Sequence, residues 1–226
     1  MGDAFPAPKD IRLFLSKPLQ GAVLLVLCIA NSGVFGQAYD ELLKAIQDGN
    51  ATTVERLMDR GLDPNTADPQ GNTILMMASR LGHRDLVALL INRKASVTKR
   101  SPFGDTALMM ASLRGDLDIA RLLVEHGAEL NHRGWAPIHY AAFENHAAVI
   151  RYLIAKGADK DAIAPNGYSA LMLAARGGHL EAAKALLYED ADVRVKGPKG
   201  ETALSIARQR GMTDFVELLK RAGAVE

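Results

Sequence analysis

The chain has 226 residues, 27 basic against 26 acidic side chains, one cysteine and 5% aromatics, the make-up of a soluble chain with enough apolar residues for a core. Its near-zero net charge excludes broad electrostatic attachment to nucleic acid or to an acidic membrane, both of which need a concentrated excess of Lys and Arg. Lone Cys28 excludes an intramolecular disulfide framework and a cysteine-ligated zinc site.

At the N-terminus, Lys9, Arg12 and Lys17 precede ten uncharged residues, Gly21 to Ala30, and polar Asn31 and Ser32 end the run. A basic flank, a short apolar run and a small-residue exit follow the order of a secretory signal peptide, and Gly36-Gln37-Ala38 supplies small residues where a signal peptidase cuts. The expectation is a signal peptide over residues 1–38, cleaved after Ala38, and an exported mature chain, periplasmic with secretion as the alternative. A competing reading is an uncleaved inner-membrane anchor, because the 22 uncharged residues between Lys17 and Asp40 are long enough to span. Leu27 before Cys28 does not fit a lipoprotein. Removing residues 1–38 takes away three bases and two acids and leaves 24 against 24 with no cysteine, which suits an oxidising compartment.

After Ala38 the chain repeats. Gly71, Gly104, Gly134, Gly167 and Gly200 are spaced 33, 30, 33 and 33 residues apart, the sign of a stacked array. Each unit opens Gly-x-[Thr/Ser/Ala] and runs into an apolar pair and small residues. Thr73, Thr106, Ser169 and Thr202 stand where a helix N-cap accepts an orphan amide, with Ala136 in the same place. Ala78, Ala111, Ala141, Ala174 and Ala207 let neighbouring helices approach closely. Polar turns at Gly82-His83, Gly115-Asp116, Asn145-His146, Gly178-His179 and Gly211-Met212 end the first helix by the left-handed route. A second helix follows with apolar residues at helical spacing, such as Leu86, Val87, Leu89 and Leu90. It closes at Gly127, Gly157 and Gly223. Lys94 and Asp190 hold the same position, where a left-handed non-glycine residue costs roughly 1 kcal/mol.

These residues resemble the ankyrin repeat, a unit of two antiparallel helices and a projecting turn. The resemblance implies an all-α helical solenoid. The sequence divides into an N-terminal capping unit, 39–70, and five repeats: 71–103, 104–133, 134–166, 167–199 and 200–226, the last a C-terminal cap with a charged second helix (Glu217, Lys220, Arg221). Units of this kind cannot bury their apolar faces alone, so stability is a sum over units and interfaces. The three residues missing between Gly104 and Gly134 shorten the turn at 131–133 and predict a notch beside Trp135.

Little in the sequence points to chemistry. The resemblance gives His139 a bond to a neighbouring turn and places His83, His146 and His179 in the inter-helix turns. His126 and His132 are read as facing solvent. No HExxH pair, Walker loop or nucleophile elbow occurs, so no catalytic, cofactor or metal residue is assigned and the chain is read as no enzyme. Met76, Met77, Met109, Met110 and Met172 invite a second reading, a metal or small-ligand carrier using Met and His, but their register favours packing.

What the resemblance leaves is surface, because partners of ankyrin arrays usually meet the projecting turns and the exposed side of the first helices, the concave face. By register these positions hold Phe103, Trp135, Phe143, Tyr168 and Leu113 with Arg80, Arg114, Arg133, Arg176 and Arg210. Aromatics and arginine are the residues binding hot spots use. The expectation is a monomeric protein-binding module whose protein partner offers an acidic, apolar patch, with no nucleic acid and, after cleavage, no membrane. Similarity to exported bacterial ankyrin proteins suggests a periplasmic enzyme as that partner. A membrane-tethered ankyrin scaffold is the third reading.

Overall fold

A computed structural model describes residues 32–225. Among them are twelve α-helices and two isolated antiparallel bridges, Ala67 with Thr73 and Ile163 with Ser169. The helices come in pairs: α1 Ser32–Gln47 and α2 Ala51–Asp59; α3 Ile74–Leu81 and α4 Arg84–Asn92; α5 Ala107–Arg114 and α6 Leu117–Glu125; α7 Pro137–Phe143 and α8 Ala147–Ala155; α9 Ala170–Gly177 and α10 Leu180–Tyr188; α11 Ala203–Gln209 and α12 Thr213–Arg221. This is the all-α repeat solenoid that the sequence predicts. Most of the expected signal segment lies outside the described residues. Helix α1 starts at Ser32 and runs unbroken past Ala38, so the expected cleavage position falls inside a helix.

Caps start the first helices where the hydroxyls predict. Thr73, Thr106, Ser169 and Thr202 accept the amides of Met76, Met109, Met172 and Ser205 at 3.2–3.4 Å. A reciprocal bond returns from the third residue of several of these helices, each with a different atom. The Thr73 amide donates to Met76 Sδ, the Ala136 amide to His139 Nδ1 and the Thr202 amide to Ser205 Oγ. Ala136 thus loses the cap hydroxyl but keeps the return bond. At the far ends, Gly82, Gly115 and Gly178 take the left-handed conformation. Lys94, Asn145 and Asp190 do so without being glycine, at φ +67°, +64° and +57°.

The core runs the length of the stack. First helices pack on first helices through Ala78, Ala111, Ala141, Ala174 and Ala207, all fully buried. Beneath them lie Leu75, Leu108, Ile138, Leu171 and Leu204, at most 2% exposed, each worth about 1.5–3 kcal/mol of burial. The five methionines of the stripe are 0–5% exposed and belong to this packing. Second helices stack on the other side, α8 and α10 closely, since α10 buries Ala182, Ala183 and Ala185. His83 and His146 tie each turn to the unit before, their Nε2 atoms 3.0 Å from the Gln47 and Leu113 carbonyls.

Candidate protein-binding face

Between one unit's second helix and the next unit's first helix, the chain projects a finger. In four fingers an amide donates to the carbonyl four residues on: Asp68 to Asn72, Ser101 to Asp105, Ala164 to Tyr168 and Gly197 to Glu201, at 2.8–3.0 Å. The fingers stack glycine against proline. A Cβ on Gly71 would collide with the ring of Pro102, and one on Gly167 with Pro198. Three residues are missing from the turn at 131–135, and among the described residues it has no counterpart of the cross-finger bond. It also has no proline. Beyond its own chain neighbours, no described heavy atom lies within 4 Å of where a Gly104 Cβ would stand, an openness shared by Gly200 on the last finger. At Gly104 the middle of the row is thus as open as its end.

Side chains hold the interrupted junction instead. Trp135 sets its ring edge-on against His139 and Tyr140, with centroids 5.8 and 5.9 Å apart. The Tyr140 hydroxyl donates to Asp105 Oδ1 across the gap at 2.5 Å, both residues being buried. His139 is fully buried. Its Nδ1 accepts the Ala136 amide at 3.0 Å, so its proton sits on Nε2, which donates to the Ala162 carbonyl at 2.8 Å. Burial holds its pKa below the ordinary histidine value, and the bond to the Ala162 carbonyl only partly opposes that. His132, read as facing solvent, is half-buried: Nδ1 donates to the Arg133 carbonyl at 2.9 Å and Nε2 is buried without a partner.

The predicted binding residues fall into three sets. Phe103, at a fingertip, is 64% exposed, Trp135 is half-buried, and Arg133 is exposed between them in sequence. Phe143 is half-buried and sits at the C-terminal end of α7 with Arg80, Arg114, Arg176 and Arg210 at or just past the ends of their first helices. A first helix of 7–8 residues separates the two sets by about 10–12 Å at 1.5 Å per residue, so they form two patches rather than one. Arg114 lies across the α3–α4 turn, where a Gly82 Cβ would meet its guanidinium.

Tyr168 and Leu113 do not belong to the exposed surface. Tyr168 is 8% exposed and its hydroxyl donates to Glu201 Oε1 at 2.8 Å, tying one finger to the next. Burial, then the Glu201 contact, raises its pKa, with Arg176 opposing. Glu201 is held low: burial pushes it up, but bonds from its own amide, the Tyr168 hydroxyl and the Lys199 amide outweigh that. Leu113, also 8% exposed, is closed over by the α7–α8 turn through the His146 bond to its carbonyl. Neither Tyr140 nor the Asp105 bond it makes stands out in the sequence. The signal was an aspartate just before a cap with a tyrosine 35 residues on.

Elsewhere charges are paired. Arg93 donates to Asp59 and Glu55 at 2.7 Å each, which raises its pKa further. Arg100 pairs with Glu129, and Arg56 with Glu41. Such exposed pairs contribute little to stability.

Comparison with the curated proteins gives no match. The family model described as ankyrin repeats (3 copies) matches residues 23–101, 42–133, 94–164 and 138–225, overlapping segments that span nearly the whole chain. With that coverage, on twelve paired helices and capped, stacked fingers, the chain belongs to the ankyrin repeat family, whose repeats are in general protein–protein interaction modules and typically non-enzymatic.

Proposed function

We propose that the chain is an exported, non-enzymatic module that captures a protein partner on its finger face, centred on Phe103, Trp135 and Arg133. The observation that carries this is the exposed fingertip ring of Phe103, with a half-buried Trp135 and an exposed Arg133 on the turn of the next unit. Large rings and arginines at a solvent boundary are what hot spots use, because they bury much area at little entropic cost. The partner presents an apolar side chain flanked by carboxylates, and the module works as a monomer.

Export rests on the order of residues 1–38 and on the cysteine-free chain that follows. Because α1 runs through Ala38, cleavage there acts before the capping unit folds.

Crosslinking in cells, followed by recovery of the chain, tests the binding reading. Phe103→Ala and Trp135→Ala together reduce the recovered partner about tenfold or more, the loss of one hot-spot contact; unchanged capture overturns it. N-terminal sequencing of the chain from fractionated cells tests export. A chain starting at Tyr39 outside the membrane fraction agrees with it, and one that keeps its leader in the membrane contradicts it.

A further inference from the structure

The finger row contains its own evidence for what fits its gap. Where two full fingers are adjacent, a proline ring from the later one lies on the glycine of the earlier one, Pro102 on Gly71 and Pro198 on Gly167. Gly104 presents the same left-handed glycine, φ +88°, with nothing upon it. The turn at 131–135 that should supply the ring is three residues short. Phe103, exposed, precedes this glycine in the chain, and the shortened turn of the next unit carries the half-buried Trp135 and the exposed Arg133. The nearby carboxylates are engaged: Asp105 accepts from Tyr140, and Glu129 pairs with Arg100.

We propose that the gap over Gly104 is a docking slot for a proline-led turn of the partner protein, with a carboxylate beside the proline. The partner's turn takes the place of the missing finger. Its proline ring lies on Gly104 between Phe103 and Trp135, and its carboxylate meets Arg133. The chain's own first finger, Asp68-Pro69-Gln70-Gly71, has this chemistry. The inference rests on the finger-face reading above and names the class of segment that this face takes.

The test uses the full mature chain and a cyclised octapeptide of residues 66–73, Thr-Ala-Asp-Pro-Gln-Gly-Asn-Thr. The chain has one tryptophan, Trp135, so its emission reports directly on the slot. The expected result is a saturable change on adding the peptide, weakened about tenfold when Pro69 of the peptide is replaced by Ala. A second protein, with Ala-Asp-Pro inserted between His132 and Arg133 to rebuild the finger, is expected to keep its helical circular dichroism and to lose the response. Equal responses to both peptides, or from both proteins, overturn the proposal, as does no response. A concentration-dependent dimer that the insertion abolishes would also overturn it, assigning the slot to a second copy of the chain. In the crosslinking assay, capture that survives the insertion but not Phe103→Ala with Trp135→Ala sinks the slot alone. Capture that survives both sinks the finger-face reading with it.

Discussion

Two neighbouring junctions of the stack solve the same problem with different material. Between the fingers at 68–72 and 101–105 the contact is made by backbone and ring: each finger closes its own cross-bond, and Pro102 lies on Gly71. Between the finger at 101–105 and the shortened turn at 131–135, the ring and the cross-bond are gone. A buried side chain replaces them, Tyr140 reaching Asp105, while His139 ties the shortened turn's Ala136 amide to the Ala162 carbonyl at the start of the next finger. Finger stacking is therefore dispensable to the solenoid when polar side chains satisfy the groups it would have covered. The cost is that one junction depends on a few buried hydrogen bonds, so loss of a single side chain there leaves backbone groups unpaired.

The largest effect should come from His139. His139→Leu leaves the Ala136 amide and the Ala162 carbonyl without their partner and should cost about 3 kcal/mol, since each unsatisfied buried group costs roughly 1–3 kcal/mol. His139→Met should cost about half as much, because a thioether can take the cap amide, as Met76 does for Thr73, but cannot donate to Ala162. Urea unfolding of the three proteins measures the order. A pH dependence follows. Burial lowers the folded-state pKa of His139, so the unfolded chain binds the proton more tightly. Its contribution is full above the unfolded value of about 6.5 and is lost as pH falls through the folded-state value. The wild type should therefore lose more stability than His139→Met between about pH 7.5 and pH 5. Parallel losses would show that His139 is not the titrating group.

A second pair of variants compares the junctions through their tyrosines. Tyr140→Phe strips a buried carboxylate, Asp105, of its hydroxyl donor, and should cost about 2 kcal/mol, the range for a hydrogen bond to a charged group. Tyr168→Phe removes the equivalent reach to Glu201, but Glu201 is only half-buried and also accepts the Lys199 amide at 2.8 Å. Its loss should be under about 1 kcal/mol. Equal losses in thermal unfolding would mean that the interrupted junction is no more dependent on side chains than the stacked one.

The fold was legible in the sequence because each repeat spells its own local rules. A hydroxyl before an apolar run starts a helix, as Thr73 and Ser169 do, and glycine in the left-handed region ends it, as Gly82 and Gly178 do. These depend on neighbours a few residues away. The shortened turn was legible too, from a spacing of 30 among spacings of 33. Exposure was not, because it is decided one unit along the chain. Tyr168 reads as a surface ring until Glu201, 33 residues later, takes its hydroxyl, and Leu113 until the His146 turn covers it. Register alone also merged Phe103 and Phe143 into one patch, although a first helix separates them.

Ser112 offers a gain rather than a loss. It is fully buried in α5, and its hydroxyl has no partner, whereas Ser79 at the same register donates to the Leu75 carbonyl at 2.8 Å. Ser112→Ala removes an unsatisfied group and should stabilise the chain by about 1 kcal/mol, while Ser79→Ala should not. A loss of stability in Ser112→Ala would mean that the hydroxyl finds a partner in solution.

The smallest effects lie at the helix ends where a side chain sits in the left-handed region. Lys94 closes α4 on the stacked side of the break and Asp190 closes α10 beyond it, at φ +67° and +57°. Glycine at either position relieves roughly 1 kcal/mol of backbone strain but gives back part of it, because the unfolded chain gains freedom. A net gain of about 0.5 kcal/mol is expected for each of Lys94→Gly and Asp190→Gly. Stability in a stack is a sum over units and nearest interfaces, so the two gains should add unless the break at 131–135 divides the array into separately melting blocks. In a single cooperative unit the double variant shifts one transition by the sum, whereas in a divided array Lys94→Gly moves only the melting of the N-terminal block. Thermal unfolding followed by the sole tryptophan, Trp135, and by circular dichroism separates these outcomes: coincident curves mean that the side-chain junction transmits cooperativity as well as the stacked fingers do.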